Sequence, residues 1–256
     1  MRNRLMILLG GMLSCVLMSA YAASAQDMRG GQWDMPVSEE IRRSFQLAPG
    51  ALVSVSTISG PVDVQTWSGD KAEVYIVRSA ETQRDLDCYR TVVEQTSAGL
   101  SITHEQDCRN IRARQRVQLK LPKDVNLRID TVSGDVHIGA IDGSARLDSI
   151  SGGVWMDQTN GDTNINSVSG QVNLNIAQLN RRGLRLNSIS GKVVLRIADN
   201  INADLRVDSI SGHVSSEIPG VTISKVGDSS YRAQIGSGGA EISISSVSGN
   251  ITLRRS

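Results

Sequence analysis

A Ser-Gly pair preceded by Val or Ile and a small hydroxylated residue returns at Gly134, Gly152, Gly170, Gly191 and Gly212, at steps of 18, 18, 21 and 21 residues. The flanks repeat with it, in the order RIDTVSGDV, RLDSISGGV, NINSVSGQV, RLNSISGKV and RVDSISGHV, with SISSVSGNI near the end. A fixed period of this size is the mark of a solenoid, in which no single unit buries its apolar face and stacked neighbours do it together. The chain is therefore expected to be all-β: a single-stranded β-solenoid of stacked 18–21 residue coils. Only 3% of residues are aromatic while 39% are hydrophobic, so Val, Ile and Leu must build the core.

Each coil reads as two short strands meeting at a bend. Before the bend, Leu147 points inward while Arg146 and Asp148 point outward, and Ile129, Ile165, Leu186, Val207 and Ile244 take the Leu147 place in the other copies. After it, alternation resumes at Val154 and Met156. Leu147 and Ile150 cannot both face inward on one straight strand, so a corner is expected between them, at Ser149 and Gly152. Stacking the coils in sequence order then predicts an internal ladder of Val132, Ile150, Val168, Ile189, Ile210 and Val247. A second ladder holds Ser149, Ser167, Ser188, Ser209 and Ser246.

Two intervals break the rhythm. Residues 70–124 read as a lateral β-hairpin insertion, with strands over 74–77, 88–95, 100–105 and 117–121 and a turn at Thr96-Ser97-Ala98-Gly99. The 37-residue step from Gly212 to Gly249 includes a Gly- and Ser-rich stretch. This divides the chain into a leader (1–25), an N-terminal segment with the first coil (26–69), the insertion (70–124) and the repeats (125–256). Arg254 and Arg255 read as charges that blunt an open edge strand.

The leader has a basic start at Arg2 and Arg4, an apolar run over 5–18 and an Ala23-Ser24-Ala25 site, predicting cleavage between Ala25 and Gln26. The product is expected to be exported, either periplasmic or extracellular at the cell surface, with no membrane span. Of the 27 basic residues, loss of Arg2 and Arg4 leaves 25 against 26 acidic ones, so no net field draws the protein to nucleic acid.

The repeat, Leu121-Pro122 before the first regular coil, and the closing Ile242-Ser243-Ile244-Ser245-Ser246-Val247-Ser248-Gly249-Asn250-Ile251 resemble a bacterial domain-of-unknown-function family labelled "putative adhesin". Phe45-Gln46-Leu47-Ala48-Pro49-Gly50, Ser59-Gly60 and Trp67-Ser68-Gly69-Asp70 fit the same resemblance, which covers the chain from about residue 37 to its end. The resemblance implies an extracytoplasmic β-solenoid and transfers no catalytic or ligand residues.

No constellation points to a metal, a cofactor or a nucleophile. His104, His137 and His213 are scattered, with no Cys, Asp or Glu at ligand spacing. Glycosidic cleavage would need two carboxylates about 5 to 10 Å apart, and the outward column supplies one such pair, Asp130 and Asp148, in neighbouring coils. A parallel column of Arg128, Arg146, Arg185 and Arg206 makes a charge-balanced solvated face the simpler account. Those arginines, with Trp67 and Trp155, are candidate surface contacts. The chain is thus expected to be a non-enzymatic structural or adhesin-like interaction module of the envelope or surface, its partner an envelope protein or a glycan. The alternative is a polysaccharide-binding or polysaccharide-cleaving β-helix.

Loss of Cys15 with the leader would leave Cys88 and Cys108 as an even pair in an oxidising compartment. A hairpin folded about residues 96–99 pairs positions whose numbers sum to about 195, which brings these two thiols together. A disulfide closing this loop of about 20 residues stabilises the fold by roughly 3 kcal/mol through chain entropy. Both thiols should resist alkylation until a reductant is added, and Cys88→Ser should lower the unfolding free energy by that amount. Full labelling of the untreated protein would contradict the pairing.

Overall fold

The computed structural model describes residues 35–157 and 160–256. The leader, with Arg2, Arg4 and the Ala25–Gln26 junction, lies outside them. The elements run, in order, β1 (Val37–Gln46), β2 (Leu52–Ser59), β3 (Val62–Trp67), β4 (Lys71–Ala80), α1 (Gln83–Cys88), β5 (Tyr89–Thr96), β6 (Gly99–Gln106) and β7 (Ala113–Pro122). The repeats follow as β8 (Asn126–Ser133), β9 (Val136–Ile138), β10 (Ala145–Ser151), β11 (Val154–Met156), β12 (Thr163–Ile176), β13 (Leu184–Ile197), β14 (Ala203–Ser211) and β15 (Val214–Ser216). Last come β16 (Ser224–Lys225), β17 (Ser230–Ile235) and β18 (Ala240–Arg255).

Two β faces share one core, as expected of a β-solenoid. On the first, residues ahead of the Ser-Gly corner pair in parallel from β6 through β2, β8, β10, β12, β13 and β18 to β14. On the second, residues past the corner run in parallel from β7 through β3, β9, β11, β12, β13 and β18 to β15. Antiparallel strands finish the ends: β5 on β6, β17 on β14, and β4 then β1 beside β7. These turn-backs occupy sheet edges that would otherwise template another strand. The hairpin expected as a lateral insertion is thus docked on the end of the stack, with Val55 of β2 opposite Ile102 of β6. Its register sums to 195, as in Tyr89 opposite Gln106, and the Cys88–Cys108 disulfide closes it with Cα atoms 5.5 Å apart.

The Leu147 column is buried throughout, and Val136, Val154, Val172, Val193 and Ile251 bury from the second face. The Ser column also faces inward, Ser167 being 3% exposed. The Val/Ile ladder does not. Ile150 is 51% and Ile210 76% exposed, and Val132, Val168, Ile189 and Val247 are exposed with them. The alternation begun at Leu147 simply continues through Ser149, which puts Ile150 on the outer side with Arg146 and Asp148. The switch of phase comes later, at Ser151-Gly152, where Gly152 adopts φ 123°. The expected internal Val/Ile ladder, and a corner lying between Leu147 and Ile150, are both corrected by this geometry.

Coil order departs from sequence order as well. β18 lies between β13 and β14, so Gly249 stacks on Gly191 and Gly212 on Gly249. The chain steps over one position to form β14 and β15, turns back through β16 and β17, and returns to fill the gap with its last strand. Both edges of β18 are therefore occupied, and Arg254 and Arg255 bond Glu217 and Asp199 rather than blunting an open edge.

Because Ser167 is enclosed and Val168 is not, Ser167→Leu should overpack the corner and cost about 1–3 kcal/mol. Val168→Thr should stay within about 0.5 kcal/mol. The hydroxyl of Ser167 has no hydrogen-bond partner among the described residues, so Ser167→Ala should be neutral or stabilising. Equal losses in thermal unfolding for Ser167→Leu and Val168→Thr would overturn the assignment of faces.

Candidate functional site

Strict in-register pairing turns each outward position of the first face into a column along the stack. Arg128, Arg146, Asn164 and Arg185 make one. Asp130, Asp148, Asn166, Asn187, Ser245 and Asp208 make the next. The Val/Ile ridge is the third, ordered Val132, Ile150, Val168, Ile189, Val247, Ile210.

A stack of identical carboxylates one strand apart would repel itself. Two devices relieve this. Along each strand an arginine reaches the carboxylate two residues on, at 2.9 Å for Arg128 to Asp130, 3.0 Å for Arg146 to Asp148 and 3.1 Å for Arg206 to Asp208. Between strands, asparagines interrupt the charge: the Asn166 amide donates to Asp148 at 2.5 Å and the Asn187 amide to Asn166 at 2.8 Å. The result is a polar rail of carboxyl and carboxamide groups, with the Ser245 hydroxyl at one level.

Between this rail and the Val/Ile ridge runs a groove of about 850 Å³, with the corner Ser residues along its floor. His104 borders it together with Ser56 and Thr57, in the first coil, and Ser229 lies beside Asp208 and Ile210 in the last. Seven coils at the usual strand spacing make it about 29 Å long. Strict alternation carried past Leu147 is the signal in the sequence that would have found the ridge, because it sets Ile150 on the Asp148 side.

Of the expected contacts, Arg128, Arg146 and Arg206 are held by their aspartates, and Arg185 sits opposite Asn164 in the same column. The two tryptophans belong to the second face, away from the groove. Trp155 stacks on His137 with ring centroids 4.5 Å apart. Trp67 donates its indole N–H to the Lys71 carbonyl at 3.0 Å and carries the Lys120 ammonium over its ring. Among the described residues, no group of three or more His, Cys, Asp or Glu side chains could hold a metal ion, and no helix is long and apolar enough to cross a membrane.

Burial alone raises the Asp148 carboxyl, but hydrogen bonds from Asn166 and Arg146, the Arg146 charge and a hydrogen bond shared with Asp130 outweigh it and hold it below the usual 3.8. Asp208 is lowered too, by the Ser230 hydroxyl against the effect of burial, and by Arg206. A carboxyl whose pKa is depressed by folding stabilises the fold at pH above its unfolded value, and that stabilisation disappears as pH falls through the folded value. The melting temperatures of the wild type and Asp148→Asn should therefore differ by a steady amount above about pH 5 and converge below about pH 4. A difference that persists unchanged to pH 3 would show that the Asp148 charge contributes nothing.

Residues 53–254 match the Toastrack DUF4097 family. No curated protein matches the chain. Among solved structures, one described as a "putative cell adhesion protein" from Clostridium sporogenes ATCC 15579 superposes with a TM-score of 0.52 at 12% identity, covering 86% of this chain and 100% of the other. Another, described as a "putative adhesin" from Bacteroides fragilis NCTC 9343, gives 0.43 at 14% identity, covering 86% and 99%. The first likeness is one of fold, a β-solenoid built as this one is. With the family matched over most of its length, the chain belongs to the Toastrack DUF4097 family.

Proposed function

We propose that this protein is an exported, non-enzymatic β-solenoid that serves as a structural or adhesin-like interaction module of the cell envelope or surface, and that it engages its partner along the first-face groove. The observation that carries the reading is the ridge of six β-branched side chains, Val132 to Ile210, standing in line in solvent. Contiguous exposed apolar surface of this kind marks interaction sites. The rail beside it repeats hydrogen-bonding groups at every coil, so an extended partner lying along the stack meets apolar and polar chemistry in the same alternation throughout. An envelope protein segment or a glycan strand has that form. The leader and the disulfide support a periplasmic or extracellular setting.

A second reading, a polysaccharide-cleaving β-helix, draws on Asp130 and Asp148 in adjacent coils. Cleavage needs one carboxyl held protonated as a general acid, by a raised pKa. Asp148 is held low instead and is occupied by Asn166 and Arg146.

The readings separate when the protein is incubated with cell-wall glycans, capsular glycans and envelope proteins, and both retention and new reducing ends are measured. Retention without new reducing ends is expected, and the double variant Ile150→Asn, Ile189→Asn should weaken it at least about tenfold. Retention indifferent to that variant would remove the groove from the proposal. Reducing ends that vanish in Asp148→Asn would establish the enzymatic reading.

A further inference from the structure

Strand β1 ends the second face at the N-terminal side of the stack. It is paired along one edge only, to β4, and among the described residues no strand pairs with its other edge. Beyond the coil of β2 and β3, the first face carries two further strands, β6 and β5, whereas the second carries three, β7, β4 and β1. By this count β1 reaches one strand spacing, about 4.8 Å, further than its neighbour across the core. A ten-residue edge in this position is a template for another strand.

The sequence of β1 says which strand. Around Ile41 it reads Val37, Ser38, Glu39, Glu40, Ile41, Arg42, Arg43, Ser44, Phe45: apolar, serine, two acids, isoleucine, two bases, serine, apolar. Charges that merely blunt an edge have no reason to be mirror images of opposite sign. In an antiparallel ladder, hydrogen-bonded and non-hydrogen-bonded pairs alternate, so a two-fold axis between identical strands must pass through one residue paired with itself. Centring on Glu40 sets Glu40 against Glu40, and centring on Arg42 sets Arg42 against Arg42. Centring on Ile41 sets Glu40 opposite Arg42 and Glu39 opposite Arg43, twice each.

The side chains are disposed to allow it. Glu40 and Arg42 lie on one face of the strand, exposed and held to each other at 3.0 Å, with the Arg42 guanidinium 4.5 Å over the Tyr75 ring. Exposed contacts of this kind contribute little, so exchanging the ion pair for a cross-strand one removes little. Glu39 and Arg43 lie on the other face. Glu39 meets Arg78 through one carboxylate oxygen, and Arg43 makes no ion pair among the described residues. Ile41 and Phe45 are partly buried against the core and would extend it across the axis, to Ile41 and Val37 of the second copy.

We propose that the free edge of β1 is a homodimer interface, in which two copies pair antiparallel about Ile41 and join their second faces into one continuous sheet. The inference is independent of the groove reading. A dimer formed this way carries two grooves, which raises avidity for a repetitive partner without any new contact to it.

The test uses protein expressed from the full sequence and recovered as the host processes it. Sedimentation velocity should show a dimer at low salt whose dissociation constant rises with ionic strength. Glu40→Arg alone, and Arg42→Glu alone, each set like charges across the axis and should weaken self-association at least about tenfold. Mixing the two variants in equal amounts should restore a heterodimer, a rescue that simple loss of folding cannot mimic, and circular dichroism melts verify that each variant is folded. Ile41→Cys should cross-link to itself on oxidation, whereas Ser44→Cys, six residues out of register with itself, should not. A protein monomeric at every concentration, or a dimer indifferent to both reversals and their mixture, would overturn the proposal.

Discussion

The fold depends on close approach of backbone to backbone at the Ser-Gly corner. Gly134, Gly152, Gly170, Gly191 and Gly249 all adopt φ between 123° and 141°, and the place a Cβ would take at each is filled by the carbonyl of the glycine one coil below. The spacing of the coils at the corner is therefore set by main chain alone, with no side chain to prop them apart. Glycine loses the most conformational freedom on folding, and the ladder hydrogen bonds and enclosed apolar columns on both sides of the corner must offset that loss. Once the corners are stacked, the registers of the two faces follow, because each strand leaves a fixed point shared with its neighbours.

Register then forces like onto like. Inside, the apolar columns accept this readily, since Val, Ile and Leu pack on themselves. Outside, it creates two problems that the sequence treats differently. The carboxylate column is relieved by arginines within strands and by asparagines between them, through Asp148, Asn166 and Asn187. The apolar column is not relieved. A hydroxyl or charge in place of Ile150 or Ile189 would fit the outward geometry equally well, and the fold derives no enclosed core from either residue. The ridge is for this reason hard to attribute to folding, and the proposed interaction surface rests on that asymmetry.

Much of this was legible in the residues. The period marks the coils, alternation places Leu147 and Ser149 inward, and the hairpin about residues 96–99 sets the register that closes the disulfide. At Ile150 apolar character and alternation give opposite cues, and an internal ridge follows from the weaker one. The phase change belongs not before Ile150 but at the positive-φ glycine two residues beyond it. Coil order was not legible. Near-identical motifs such as RLNSISGKV, RVDSISGHV and SISSVSGNI offer equivalent partners to one another, so nothing in them tells β18 to pair with β13 ahead of β14. The discriminating information is tertiary: β14 finds an antiparallel partner in β17, which seals it as the terminal coil and leaves the slot beside β13 to the last strand. The terminal cap was hidden as well: β4 falls in the segment read as an insertion, which carries no sign of the edge it will continue, and β1 falls in the N-terminal segment, where no strand is expected ahead of the first coil.

On the proposed reading, the groove differs from a catalytic cleft in its translational repetition. Chemistry on a single bond requires one position unlike all others, where a group is displaced from its ordinary protonation or geometry. Along the rail, the strand-wise Arg-to-Asp contact recurs at Asp130, Asp148 and Asp208, and the two carboxyls whose ionisation is shifted are both shifted toward the charged form that ordinary solvation already favours. The nearest approach to a distinct position is at Asp148, where an acid adjoins both another acid and an amide, and its hydrogen bonds are spent on the ladder. A surface that offers a similar modest contact at each of the six levels of the ridge gains affinity by length and gains little at any one level. On the proposed reading, shortening a bound chain should therefore weaken it progressively, where a cleft with one privileged subsite would lose most of its affinity in a single step.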